Sequence, residues 1–283
     1  MVGESGCGKT TLGKALLQLI RPTAGRVLVN GQDLTTLDRN ALLPYRRQLQ
    51  VIFQDPYSAL NPRMMIGEIV MEGMAAHGIG RNRSEREEQA AEILVHVGLD
   101  PNMLHRYPHE FSGGQRQRIG IARCLAVEPN FIVCDEATSA LDVSVQAQIL
   151  NLLETLQTKL GLTYLFITHN LGVVEYLADE VAVMYLGRIV ERGKTEEVFR
   201  NPRHPYTRAL LSAVPQIDLV TGTEKIRLSG DVPSPIHPPA GCHFHPRCPH
   251  VMPRCRNHYP PDYPISDSHS ARCFLYNSGK NPQ

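Results

Sequence analysis

Gly3, Glu4, Ser5, Gly6, Cys7, Gly8, Lys9 and Thr10 bring three glycines, an amine and a hydroxyl into the spacing G-x-x-x-x-G-K-[ST]. Glycine opens backbone angles closed to other residues, so successive N–H groups can turn inward around phosphate oxygens. Lys9 adds a positive charge for the outer phosphates, and Thr10, followed by Thr11, offers a hydroxyl that can ligate Mg²⁺. The run Thr10 to Ile20 reads as a helix with its N-terminus toward the anion. A glycine-rich turn that merely precedes a helix is the plain alternative, and further chemistry in the right order separates the two.

That chemistry follows downstream. Asp135 and Glu136 close the apolar run Phe131 to Cys134, which places a carboxylate at the end of a buried strand, where it can hold a Mg²⁺ shell. Glu136 would then act on the attacking water as a general base or orienting group. An acidic turn residue at a strand end is the ordinary alternative. In Ser112-Gly113-Gly114-Gln115, the serine can cap a helix while the glycines bare the N–H groups of its first turn, a second reader of phosphate.

The elements that must position these groups alternate. Strands are predicted at Gly25–Gly31 with an Asn30-Gly31 turn, and at Leu49–Gln54, Phe131–Asp135, Thr163–Thr168, Val181–Tyr185 and Arg188–Val190. Helices are predicted over Asn61–Leu99, with Ser84 and Glu87 as a capping box, and over Ser112–Val127 and Val143–Leu160. Strands alternating with helices argue for an α/β fold with a mainly parallel sheet covered on both faces. Residues 61–118 form a helical insertion between strands. Only Met1 and Val2 precede Gly3, where a phosphate loop ordinarily follows a buried strand. The N-terminal strands are therefore expected to be missing, the chain being a shortened form of a longer protein or one with a misplaced start.

In this order the motifs resemble those of ABC-type ATPases, a P-loop NTPase fold. Beside the phosphate loop, the Ser112–Gln115 signature and the Asp135-Glu136 pair, Gln54 resembles the Q-loop glutamine. Ser139, Ala140, Leu141 and Asp142 resemble the D-loop, and His169 the switch histidine. The resemblance implies ATP and Mg²⁺ as ligands, with Thr10, Gln54 and Asp135 around the ion and Glu136, His169 and Gln54 as the catalytic set. It implies that two subunits sandwich ATP, Ser112, Gly113, Gly114 and Gln115 of one closing on the nucleotide held by the loop of the other. Ala137 and Asn170 depart from the usual proline and aspartate, without removing a phosphate or metal contact. No residue of the chain can be assigned the adenine-stacking aromatic of that family.

The last part differs in composition, with 11 of 21 prolines, 6 of 12 histidines and 4 of 7 cysteines lying between Gly230 and Gln283. It reads as a small, loop-rich appendage after a polar linker at about Pro215–Ser229, and it needs a staple to hold a shape. Cys242, Cys248, Cys255 and Cys273 suit zinc or an iron–sulfur centre, with free thiols and disulfides as alternatives. His243, His245 and His250 add a mixed zinc site. Asn201 to Ser212, Pro233-Ser-Pro and the cysteine run resemble the C-terminal extension of dipeptide and oligopeptide importer subunits, within which four cysteines carry a [4Fe-4S] cluster. The domains expected are therefore 1–200 for the ATPase and 201–283 for the extension. Cys124 and Cys134 read as core residues, and Cys7 as a variable loop position open to alkylation.

A formal charge of +1 argues against a general nucleic-acid binder, and no run approaches the ~18 apolar residues of a membrane helix. The function expected is an ATPase subunit, peripheral on the cytoplasmic face of the inner membrane, that drives dipeptide or oligopeptide import. Its partners would be a second ABC ATPase subunit in a hetero- or homodimer, two transmembrane permease subunits and, indirectly, an extracytoplasmic peptide-binding protein, with no nucleic acid. The alternatives are an ATP-binding fragment without turnover, importers of nickel or glutathione in the same family, and a soluble ABC-type protein of DNA repair or translation. The last would show a long coiled-coil insertion or a second cassette.

Overall fold

The computed structural model describes residues 1–55, 57–213, 226, 228 and 230–276. Nearly all of the predicted linker Pro215–Ser229 thus lies outside the described residues. The chain divides into two compact units, Thr10–Ile167 and Met1–Lys9 together with Thr168 onward.

In the first unit α1 (Lys9–Leu16) is followed by the hairpin β1 (Leu28–Val29) and β2 (Gln32–Asp33), paired antiparallel. Asn30 and Gly31 turn it with φ of 51° and 82°, the two left-handed residues of the turn that matches strand twist. Then come α2 (Leu43–Gln48), β3 (Leu49–Ile52), α3 (Ile66–Ala76), α4 (Arg83–His96) and α5 (Gly113–Leu125). They lead to β4 (Phe131–Asp135), α6 (Val143–Leu160) and β5 (Thr163–Ile167). The apolar run of β4 makes it the central strand, parallel to β3 and β5, with Ile52 opposite Cys134 and Asp135 opposite Ile167. Gln54, Asp135 and Glu136 therefore all emerge at the carboxyl edge of this sheet. One core joins β3, β4 and α6 to the helices between β3 and β4, through Ile66, Leu94, Ile119, Ile132 and Ile149, all fully buried.

Two local expectations shift. The helix after residue 80 starts from Asn82, whose side chain accepts from Glu85 N, so Ser84 lies inside it. The first helix stops at Leu16, short of the predicted Ile20, because Gln18 turns back at φ 53°.

The second unit holds α7 (Leu171–Leu177), β6 (Glu180–Tyr185), β7 (Arg188–Lys194), α8 (Thr195–Arg200), α9 (Pro205–Ser212) and α10 (Pro253–Asn257). The chain then adds β8 (Tyr263–Pro264) and β9 (His269–Ala271). Here the mainly parallel sheet is corrected. β6, β7, β9 and β8 form an antiparallel sheet, turned between β6 and β7 by Leu186 and Gly187 at φ 41° and 76°. The tail is thus part of a sheet, held by Glu191, whose carboxylate takes His269 Nε2 at 2.8 Å and the N–H groups of Arg203 and His204 at 2.7 and 2.8 Å. The two residues before Gly3 pair as well. Val2 forms a parallel bridge to Val183, donating to Ala182 O at 2.9 Å and accepting from Met184 N at 2.8 Å.

Candidate functional site

The loop from Gly3 to Thr10 leaves Val2 and enters α1, and its backbone takes angles that only glycine holds without strain. Gly3, Gly6 and Gly8 sit at φ 155°, 77° and 102°. Gly3 has a second reason to lack a side chain, since a Cβ there would stand 2.2 Å from Met184 O. Lys9 is 5% exposed and donates to the loop's own carbonyls, Gly3 O at 2.8 Å and Glu4 O at 2.9 Å. Its amine is thereby held inside the curl that anionic oxygens would fill. Ser5, Gly6, Thr10 and Thr11 are exposed.

Thr10 Oγ1 donates to Asp135 Oδ1 at 3.0 Å, which joins the head of α1 to the end of β4. Gly13, one turn on, permits this closeness, because a Cβ there would lie 2.9 Å from Ile167 Cδ1 and 3.2 Å from Val133 Cγ1. Nothing in the sequence spacing marks Gly13. Glu136 follows in a left-handed backbone at φ 48°, unusual for a residue with a side chain, and its N–H is held by Ile167 O at 2.8 Å. Its Oε2 accepts from Gln54 Nε2 at 2.9 Å. A hydroxyl and a carboxylate suited to a hard cation thus stand next to a carboxylate suited to water activation.

The predicted D-loop turns on Glu136 as well, since Ser139 N and Oγ both donate to Glu136 O at 3.0 Å, and Asp142 precedes α6. Ser112 caps α5, its Oγ accepting from Gln115 N at 3.3 Å while Ser112 N donates to Gln115 Oε1 at 3.0 Å. Gly114 has a packing role beside the bared N–H groups, because a Cβ there would meet Val145 Cγ1 at 2.5 Å. His169 is exposed, two residues beyond the end of β5 in the chain, and Asn170 after it caps α7 by accepting from Gly172 N at 3.0 Å.

The cysteines sort by burial. Cys7 is 3% exposed and burial raises its thiol pKa, an effect Lys9 only partly offsets, so the expected alkylation site is closed. Cys124 donates to Val51 O, and burial pushes its thiol up to about 11, as befits the core residue expected. Cys134, likewise in the core, is pushed well up by burial.

In the tail Cys242, Cys248, Cys255 and Cys273 form no disulfide with one another. Burial pushes Cys242 to about 11 and Cys273 to about 12, and the neighbouring sulfurs add to the rise. The donor chemistry suits a thiolate-bound centre. Among the described residues no three His, Cys, Asp or Glu side chains stand as a ready ligand set, while the sulfurs of Cys248 and Cys255 lie near enough to Cys242 and Cys273 to raise the pKa of both. His243 and His245 turn Nδ1 to the carbonyls of Leu186 and Cys242 at 3.1 and 2.9 Å.

Two residues that sequence reasoning missed reach the loop. Arg247 donates from both terminal nitrogens to Glu4, at 2.8 and 3.2 Å, and Tyr206 Oη accepts from Glu4 N at 2.8 Å.

Residues 1–139 match the family model described as ABC transporter, and residues 190–255 match that described as oligopeptide/dipeptide transporter, C-terminal region. A putative peptide import ATP-binding protein of Brucella ovis is 53% identical over 277 residues, covering 98% of this chain and 87% of the relative. The oligopeptide transport ATP-binding protein AppF of Bacillus subtilis is 49% identical over 280 residues, covering 98% and 84%. Among solved structures, the ATP-binding cassette MJ0796, a dimer in a post-hydrolysis state with ADP and Pi, matches at a TM-score of 0.61. It is 30% identical and covers 69% of this chain and 83% of that one.

Proposed function

The chain belongs to the ATP-binding proteins of ABC transporters, and on that premise we propose that it hydrolyses ATP to drive import of dipeptides or oligopeptides through a membrane permease. The observation that carries the ATPase reading is the Thr10–Asp135 hydrogen bond at 3.0 Å, with Glu136 beside it. The C-terminal region and the names of the relatives support the peptide reading.

Within this reading the loop Gly3–Thr11 wraps the phosphates, and Lys9 exchanges its carbonyl partners for phosphate oxygens. Thr10, Asp135 and Gln54 would hold Mg²⁺, which when bound neutralises charge on the phosphates. Glu136 orients the attacking water and takes its proton, while Gln54 fixes the carboxylate. His169 reaches the γ-phosphate or that water. Ser112, Gly113, Gly114 and Gln115 close on the nucleotide held by a second ATPase subunit, and Ser139 to Asp142 form the facing turn. Closure on ATP and reopening after hydrolysis would move two transmembrane permease subunits, with an extracytoplasmic binding protein delivering the peptide. Among the described residues no helix is long and apolar enough to cross a membrane. The import reading itself puts the chain at the cytoplasmic face, peripheral to the permease.

For the extension, we propose that Cys242, Cys248, Cys255 and Cys273 gather around a [4Fe-4S] cluster, with zinc as the alternative. Its role would be structural or sensory, outside hydrolysis. Brown colour lost in Cys242→Ser supports the cluster, and stoichiometric zinc overturns it.

The test of the function is reconstitution with the permease in vesicles. ATP-dependent uptake of a labelled dipeptide, lost in Lys9→Ala, is the result expected. Nickel or glutathione uptake in place of peptide would overturn the substrate class.

A further inference from the structure

Among the described residues the tail hydrogen-bonds the phosphate loop at Glu4. Glu4 occupies a variable position of the motif, so its side chain owes nothing to the general chemistry of the loop. Here it is held twice. Arg247 Nη1 and Nη2 donate to Glu4 Oε2 and Oε1 at 2.8 and 3.2 Å, the fork-on-fork geometry that fixes direction as well as distance. Tyr206 Oη takes the Glu4 N–H at 2.8 Å.

Both partners are buried. The Arg247 side chain is 8% exposed and the Glu4 side chain 26%, so water screens the pair only from one side. Tyr206 is 0% exposed and packs its ring against Tyr185 and Phe244, with centroids 4.7 and 5.5 Å away. Phe244 and Arg247 belong to the segment between Cys242 and Cys248, while Tyr206 lies on α9. A loop made of glycines would otherwise sample many curls, and ordering it costs entropy at the moment of binding.

We infer that Arg247 and Tyr206 are positioning residues for the nucleotide, setting the phosphate loop through Glu4, so that the C-terminal extension shapes the loop that takes the phosphates. Two effects combine. The clamp limits the loop to the curl whose N–H groups face inward. The guanidinium also neutralises a carboxylate that would otherwise lie within a loop built for a polyanion. The inference rests on the assignment of Gly3–Thr10 as the phosphate loop.

The test uses the full chain and binding of a fluorescent ATP analogue, with steady-state hydrolysis alongside. Arg247→Met is expected to weaken binding about tenfold and to raise KM, with kcat at saturating ATP changed about twofold or less. Tyr206→Phe weakens binding by less. Glu4→Gln in the Arg247→Met background removes the unpaired carboxylate without restoring the clamp and so recovers part of the affinity, which a general loss of packing in the extension would not produce. Arg247→Lys, retaining charge without the fork, falls between, and serves should the methionine variant fold poorly. Unchanged or tighter binding in both Arg247 variants overturns the inference, as does failure of Glu4→Gln to rescue. Failure of the unmodified chain to bind ATP, or indifference of binding to Lys9→Ala, would instead overturn the phosphate-loop assignment.

Discussion

Gln54 Nε2 and Glu136 Oε2 are joined by a 2.9 Å hydrogen bond across the carboxyl ends of two neighbouring parallel strands. Glu136 bears that carboxylate from a left-handed backbone at φ 48°, a conformation the surroundings must enforce. Glu136→Gln keeps the hydrogen-bonding shape and removes the base. It is expected to lower kcat by roughly 10²–10⁴ with ATP affinity retained. Gln54→Ala should lower kcat by less, because that residue orients and does not react. Single-turnover hydrolysis separates the two from effects on binding.

Thr10 and Asp135 share a 3.0 Å hydrogen bond, so their contributions should not add. Thr10→Val and Asp135→Asn are each expected to raise the Mg²⁺ concentration that supports half-maximal hydrolysis. The double variant should be better than the sum of the singles by about 0.5–3 kcal/mol. A Mg²⁺ titration of all four proteins measures the coupling.

Gly114 and Gly120 stand on one helix and predict opposite results. A Cβ at Gly114 would meet Val145 Cγ1 at 2.5 Å, whereas one at Gly120 meets nothing within 4 Å. Gly114→Ala should destabilise by about 1–3 kcal/mol and be relieved by Val145→Ala. Gly120→Ala should stabilise by about 0.5–1 kcal/mol. Urea unfolding midpoints decide both.

His204 caps α9 by accepting Tyr206 N at Nδ1, a role that requires that nitrogen unprotonated. Burial lowers its pKa from 6.5 to about 4, with Glu191 only partly opposing. Because the folded value lies below the unfolded one, the unfolded chain binds the extra proton between these limits. Stability is thus full above about pH 6.5 and falls as pH drops toward 4, by roughly 3 kcal/mol in all. His204→Asn, which caps without titrating, should flatten the dependence between pH 7 and 5 in urea unfolding of the chain.

Much of the site was legible because its motifs are local. The Gly3–Thr10 loop, the Ser112–Gln115 cap and the Asp135-Glu136 strand end each fix their geometry within a few residues, and β4 announced itself as an apolar run. What stayed hidden depends on distance. Arg247 and Glu4 are 243 residues apart, and neither position is unusual alone. Gly13 and Gly114 matter only through side chains of other elements. The tail strands β8 and β9 are two and three residues long, too short to carry a period, and exist because β7 offers an edge. Ser84 competed with Asn82 for one cap, and both suit the chemistry.

In the proposed mechanism ATP is shared between two subunits, the loop of one facing Ser112 of the other. The most direct measurement is the mass in solution of the full chain carrying Glu136→Gln, with and without ATP, together with the assembled partner subunit if one co-purifies. A dimer that forms with ATP, dissolves with ADP and is lost on Ser112→Arg is the predicted result. A chain that binds ATP yet keeps the same mass in every nucleotide state would contradict it.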